Sequence, residues 1–305
     1  MAAATPDVVG LGGPAQIVTV EHVSLWRSTL RRFLRHRLAV LGTVMLLGII
    51  LMAALAPIIT NNQPFFTDMT AVGKPPGPGH PLGTDRSGRD VWARLAFGAR
   101  TSLIVGLGAV AVYVTIGMIL GGLAGMLGGK VDQLIMRATD TLMSIPSLLL
   151  VIVFVTAIGP SLVSVLVVIG LLGWPGACRL VRGQLLTLRE SEFITAAHVV
   201  GVGNRQILLR HLLPNIMSSL AVLATFGVAS AIILEAALSF LGLGVRIPTA
   251  TWGGMINEAQ SPSVLIDLPW LWLAPGIAIA VTVLAVNFIG DGLRDALDPK
   301  STRRT

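Results

Sequence analysis

The sequence predicts an all-α, polytopic membrane protein with six transmembrane helices and both termini in the cytoplasm. Three observations predict it. Of the 305 residues, 53% are hydrophobic and only 12% are charged, whereas a soluble chain carries about 25% charged residues. The apolar residues are gathered into runs that, at about 1.5 Å per residue, are long enough to cross a ~30 Å hydrocarbon core. The Lys and Arg residues are unevenly divided between the intervening segments. With six spans, the side that holds both termini collects 16 of the 22, which makes it the cytoplasmic side. The same bias accounts for the net charge of +7 without a nucleic-acid partner.

The elements follow in order. Residues 1 to about 20 are small and featureless, and disorder is expected there. Trp26–Arg37 is basic with interleaved apolar residues, the pattern of an interfacial helix on the anionic cytoplasmic leaflet. It leads into an uncharged apolar run, 38–59, the first span. Ala54-Leu55-Ala56 imitates a signal-peptidase site, but the apolar run is too long and starts too late, and Pro57 follows the would-be cut. The span is therefore expected to remain uncleaved. An extramembrane segment follows, rigid and loop-like between Lys74 and Pro81. Next comes Gly83-Thr84-Asp85-Arg86-Ser87-Gly88-Arg89-Asp90, which lacks both the Gly-Lys-Ser/Thr ending of a phosphate loop and the acidic spacing of a calcium loop.

The second span, 101–127, carries Gly106 and Gly108 and then Gly117, Gly121, Gly125 and Gly129 at every fourth residue. Small residues on one face admit a close neighbouring helix. Packing within the chain is the expected use, and contact with a translocation path or a partner subunit is the alternative. The third span, 133–158, is expected to kink at Pro146, with Arg137 and Asp140 pairing at i and i+3. The fourth, 162–172, is expected to end near Trp174-Pro175. The fifth, 216–241, contains Glu235, costly in an apolar run. Bonding to neighbouring helices or an interfacial position is its expected state, and a proton-relay or substrate role the alternative. Trp252, Trp270 and Trp272 flank the second extramembrane loop and suit a headgroup belt. The sixth span is 271–289. Cys178, the single cysteine, has no disulfide partner and no metal-ligand neighbour.

Between the fourth and fifth spans lies the longest polar interval of the second half, 190–215. Phe193, Ala197 and Val200 recur at i, i+4 and i+7 on one helical face. Gly201 ends that helix in the left-handed conformation and Asn204 caps the next. Ile207, Leu208, His211 and Leu212 share the face of the second helix, Pro214 stops it at Leu213, and Arg205 and Arg210 make the outside basic.

Three stretches carry a family resemblance. Ala196-Ala197, then Gly201 after three intervening residues, and His211-Leu212-Leu213-Pro214 after nine more resemble the coupling-loop motif of ABC importer permeases. Thr195 and His211 stand where that motif has Glu and Ile, as expected of its peptide and nickel branch. The Gly83–Asp90 stretch, continued by Arg94, Gly98, Arg100 and Ser102-Leu103, resembles the signature of dipeptide and oligopeptide permeases of the C type, with Ala93 where Ser is usual. The ending Asp291, Arg294, Asp295, Asp298-Pro299 also resembles that family.

The resemblance implies a type I importer permease in the inner membrane that moves di- or oligopeptides into the cytoplasm. It implies a second homologous permease, two cytosolic ATP-binding subunits that hold ATP and Mg, and an extracytoplasmic peptide-binding protein, with no cofactor on this chain. It assigns Thr195, Ala196, Ala197, Gly201, Arg205, His211, Leu213 and Pro214 to ATPase coupling, within a core of 98–293. Residues 1–37 and 294–305 are then the cytoplasmic ends, and 38–97 the first span with its external loop. Asp140 and Glu235 are the candidates for the translocation path.

Independently of that resemblance, the chain has no motor or hydrolytic motif. Its Gly-Lys pairs, Gly73-Lys74-Pro75 and Gly129-Lys130-Val131, are not phosphate loops. It is therefore expected not to be an enzyme. The His residues are scattered, and no metal site is expected. Nickel or antimicrobial-peptide import is the alternative within the family. An ion-coupled secondary transporter relying on Glu235 is the alternative outside it.

Overall fold

The long apolar runs become long helices. The computed structural model describes residues 25–60, 63–246 and 248–297, with backbone alone for 25–28, 198, 204, 205 and 211. The expected disorder of the first residues and the signature residues Asp298 and Pro299 lie outside the described residues. A short helix α1 (Leu25–Arg35) meets α2 (Arg37–Ile59) at His36. The His36 ring accepts a hydrogen bond from the Ala39 amide at 3.1 Å and so caps α2. Val44, Leu47, Leu51 and Ile58 stay exposed on α2, as a lipid-facing helix requires.

Helix α3 (Val91–Leu127) is 37 residues long, about 55 Å at the helical rise. It begins ten residues before the expected span because Asp90 caps it, accepting from the Ala93 amide at 2.8 Å. Arg94, Gly98 and Arg100 therefore stand on helix, and a domain boundary at 98 falls inside it. The chain then forms α4 (Gly129–Met143) and α5 (Ser147–Ile158), bent by 89° at Pro146. The expected single kinked span is thus a break. Pro146 can neither donate to nor pack within the preceding turn, and the helix restarts after it. Asp140 does not pair with Arg137; its partner is Arg179 on the next helix, at 2.5 Å.

That helix, α6 (Leu162–Arg189), runs 28 residues straight through Pro175, so the fourth span does not end near Trp174. Trp174 and Pro175 are both buried, and this packing outweighs the roughly 3 kcal/mol cost of an internal proline. Ser161 and Ser164 close a capping box at its start. The glycine row makes the α3–α6 contact possible. A Cβ at Gly121 would lie 2.5 Å from the Cys178 carbonyl, and one at Gly125 would lie 2.9 Å from Leu185 Cβ. Gly117 meets Ala177 in the same way, whereas Gly129 faces open space. Packing within the chain is thus what Gly117, Gly121 and Gly125 do.

After the polar interval come α7 (Glu192–Val199), α8 (Asn204–Ile207), a π-helical turn at Leu208–Leu212 and the long α9 (Leu213–Phe240). Two short helices, α10 (Trp252–Glu258) and α11 (Pro262–Asp267), precede α12 (Trp270–Leu297). Trp252 is fully buried, its indole N–H donating to the Leu95 carbonyl at 3.1 Å. It therefore plugs the core and is not a headgroup-belt residue. Five helices, α2, α3, α6, α9 and α12, are long and apolar enough to cross a membrane among the described residues. Counting the bent α4–α5 pair as one broken span makes six. Asp68 caps a short 3-10 turn at Met69–Ala71; hydrogen bonds from the Thr70 hydroxyl and then its amide hold this exposed carboxyl below the usual range.

Candidate functional site

Two constructions stand at opposite ends of α3. At its C-terminal end, Arg189 of α6 donates to the Gly125 carbonyl at 2.8 Å, and α7 and α8 follow directly. The turn between them needs φ of +85° at Gly201, where the space around a Cβ is open. The Val202 amide bonds back to the Ala197 carbonyl at 3.0 Å, so Gly201 ends α7 as the sequence predicts. The Gly203 carbonyl takes the first amides of the next helix, so α8 starts one residue before an Asn204 cap would place it. Pro214 does not stop the pattern. The Leu213 amide reaches back five residues to Leu208, and Pro214 falls in the first turn of α9, where a missing N–H leaves no bond unmade.

The buried side of this helix pair is Ile194, Ile207, Leu212 and Ile216, packed with Val181 and Leu185 of α6. Phe193 and Val200, expected on the inner face, are exposed instead, together with Val199. The reason is a rotation of about one residue: Ile194, not Phe193, faces α6. Of the residues assigned to coupling, Thr195, Ala196, Gly201 and Pro214 are exposed, and Ala197 and Leu213 are half-buried. Arg205 lies on α8 and His211 on the π turn. A groove of about 540 Å3 lined by Gly203, Gln206, Leu209 and Arg210 runs beside α8.

At the N-terminal end of α3, the Gly83–Asp90 loop is organised by one carboxylate. Asp85 Oδ1 accepts from the Ser87 and Arg89 amides at 2.8 and 2.9 Å, and Oδ2 accepts from Arg89 Nε at 2.7 Å and Arg94 Nη1 at 2.6 Å. Arg89 and Arg94 both reach Glu258 of α10, at 2.6 and 2.5 Å. Thr84 donates to the Ala71 carbonyl and receives the Lys74 amide at 2.8 Å. His80 Nδ1 lies 2.7 Å from Asp90, and Gly83 and Gly88 supply φ of +73° and +74°. Arg100 stands apart, exposed, 6.0 Å from the Phe97 ring centre. Glu258 escaped the sequence reading because it stands alone in its segment; only the tertiary fold brings it to Arg89 and Arg94.

Glu235 is fully buried and accepts from Ser102 of α3 at 3.1 Å and from Ser239 at 2.7 Å. It is bonded to a neighbouring helix, the expected state. Asp291 and Arg294 are exposed on α12, while Asp295 lies 3.4 Å from His36 Nε2 and ties that helix to the α1–α2 junction. A cleft of about 310 Å3 opens between α3, α5, α6 and α9 at Tyr113, Val151, Gly173 and Phe226. Another, of about 760 Å3, is lined by Gln184, Asn215, Ser218 and Arg294. Neither Asp140 nor Glu235 lines these clefts.

Residues 94–303 match the family described as the binding-protein-dependent transport system inner membrane component, and residues 24–76 match the N-terminal TM domain of oligopeptide transport permease C. A putative peptide permease protein of Brucella suis biovar 1 is 44% identical over 270 residues, 88% of this chain and 89% of its own. A putative peptide transport system permease protein of Brucella abortus biovar 1 is 43% identical over 89% of this chain and 91% of its own. The oligopeptide transport system permease protein OppC of Bacillus subtilis is 38% identical over 94% of both chains.

Proposed function

The chain belongs to the family of binding-protein-dependent transport system inner membrane components, and from that premise we propose that it is one permease half of an ATP-driven importer of di- and oligopeptides. The chain is a multi-pass inner-membrane subunit; the energy source belongs to its partners. Those partners are a second related permease, two cytosolic ATP-binding subunits that carry ATP and Mg, and an extracytoplasmic peptide-binding protein. The peptide assignment is supported by the names of the relatives. The arginine and lysine bias supports cytoplasmic termini and a cytoplasmic α7–α8 pair.

One observation carries the mechanism. Ile194, Ile207 and Leu212 clamp the helix pair to α6 and α9, while Phe193, Val199 and Val200 remain outward. An outward apolar tip on a rigid seat suits a groove on an ATP-binding subunit. A push on the pair then moves the ends of α6 and α9 as one body, and those two helices line both clefts.

The test is reconstitution of the chain with its four partner subunits in liposomes. ATP-dependent accumulation of a labelled tripeptide is expected, and none without ATP. Accumulation that follows an ion gradient and ignores ATP would contradict the proposal.

A further inference from the structure

The cleft between α3, α5, α6 and α9 has mainly apolar walls, with Val151, Ile169, Leu172 and Phe226 among them, and no charged residue lines it. Its volume of about 310 Å3 lies at the lower end of small-molecule sites, which span about 300–1,000 Å3. Three side chains bring hydroxyls to it: Tyr113, Ser147 and Ser230. The Ser230 hydroxyl turns back on its own helix and donates to the Phe226 carbonyl at 3.2 Å. Ser147 opens α5, whose first amides have no side-chain cap and, like those of any helix, no partner within the helix.

Tyr113 is the exception among the buried polar groups of the membrane-spanning helices. It is only 8% exposed, and its hydroxyl makes no hydrogen bond among the described residues. The hydroxyl is not sealed in. Arg94 Nε is the single unpartnered side-chain nitrogen or oxygen among the described residues that no water can reach. The Tyr113 hydroxyl therefore opens onto space that a water can enter, and Tyr113 lines this cleft. Two glycines wedge the ring in place. A Cβ at Gly173 of α6 would lie 2.9 Å from its Cδ1, and a Cβ at Gly227 of α9 would overlap the hydroxyl itself. A buried phenol O–H usually finds a partner, and the fold supplies none here.

We propose that this cleft is a binding station on the path of the transported peptide, where the Tyr113 hydroxyl donates to a backbone carbonyl of the peptide. The inference rests on the peptide-import reading and deepens it. Both kinds of donor at the cleft, the Tyr113 hydroxyl and the first amides of α5, call for an acceptor. A peptide presents a carbonyl at every residue, whatever its side chains. A lipid acyl chain would fill the apolar space but leave the hydroxyl unpaired. The position of the cleft agrees. It shares Leu223 and Phe226 with the larger cleft lined by Gln184, Asn215 and Ser218. The two clefts thus follow one another along α9 toward the end that carries the α7–α8 pair.

The experiment uses the complete complex reconstituted in liposomes and a tripeptide whose central residue carries a diazirine, photolysed during ATP-driven uptake. The label is expected on the segments around Tyr113, Gly176 and Phe226, and unlabelled tripeptide is expected to compete it away. Two variants follow. Gly176 lines the cleft, and a Cβ there meets nothing within 4 Å, so Gly176→Leu fills the cleft without a clash and is expected to lose most of the labelling and uptake. Tyr113→Phe keeps the ring and removes only the hydroxyl. It is expected to keep its thermal midpoint and to slow uptake from saturating loaded binding protein about fivefold, as for one lost hydrogen bond. The factor is expected to be the same for central Ala, Leu and Ser, because the contact is to the backbone. Label that falls elsewhere, or that survives Gly176→Leu, overturns the site while leaving peptide import standing. Labelling of the cleft by a photoreactive phospholipid that the tripeptide does not compete assigns it to lipid and overturns the site as well. Unchanged uptake in Tyr113→Phe, or slowing confined to one side chain, overturns the hydroxyl's part. Absence of tripeptide uptake by the unsubstituted complex overturns the import reading, and the site with it.

Discussion

Single residues do their most consequential work where a charge is withdrawn from water. Arg94 is almost wholly buried and bonds both Asp85 and Glu258, the latter 164 residues further along the chain. Removing one member of a buried ion network costs about 3–5 kcal/mol, because the remaining charges lose their compensation. Arg94→Met is therefore expected to destabilise the detergent-solubilised chain by roughly 3 kcal/mol, read as a drop in midpoint in thermal unfolding. An unchanged midpoint would mean that the cluster is not closed. Glu235 differs, since hydroxyl groups rather than cations surround it. Glu235→Gln keeps an acceptor for one serine and offers an N–H to the other, whose hydroxyl can turn to accept it, and is expected to stay within about 1 kcal/mol. Glu235→Leu strands both hydroxyls and is expected to cost about 1–3 kcal/mol. Equal loss in both variants would point to a role for the charge itself, and ion-dependent uptake by the unsubstituted protein would then have to be tested.

At the scale of elements, the glycine contacts decide how closely helices approach. A methyl at Gly121 of α3 would press on the backbone of α6, whereas one at Gly48 of α2 meets nothing within 4 Å. Gly121→Ala is expected to lose about 1–3 kcal/mol by overpacking, and Gly48→Ala to be neutral or to gain up to about 1 kcal/mol through helix propensity. Thermal unfolding of the two variants side by side checks this; equal effects would contradict the α3–α6 seam. Much of this level was legible in sequence: the apolar runs, the every-fourth glycine spacing and the Gly201 turn all follow from local rules. What escaped depended on distant contacts. Pro175 marked no helix end because Trp174 and Pro175 are buried within the fold. Pro214 marked none because a π turn absorbed it. The inner face of α7 was displaced by one residue because apolar Phe193 and Ile194 are adjacent, and periodicity alone does not choose between them. The Gly83–Asp90 loop was visible as a signature, but its distant acidic partner, Glu258, was not.

At the scale of the whole molecule, α3, α6 and α9 connect two ends with different chemistry. One end is a closed charge network bordering a polar cavity; the other is a clamped helix pair with an apolar tip. The proposed importer role gives each end a use, one as a mouth toward the substrate and the other as a lever for an ATPase. The lever is the central claim, and the most direct measurement is co-purification of the tagged chain with its partners, in mild detergent, with and without Val200→Asp. Val200 is 82% exposed at the tip beside Gly201, so the substitution removes no buried contact and places a charge where an apolar groove should receive the tip. The account expects the unsubstituted chain to elute with both a sister permease and ATP-binding subunits, and the variant to retain the sister permease while losing most of the ATP-binding subunits. Recovery of ATP-binding subunits undiminished in the variant would contradict the claim that this helix pair is where the motor engages.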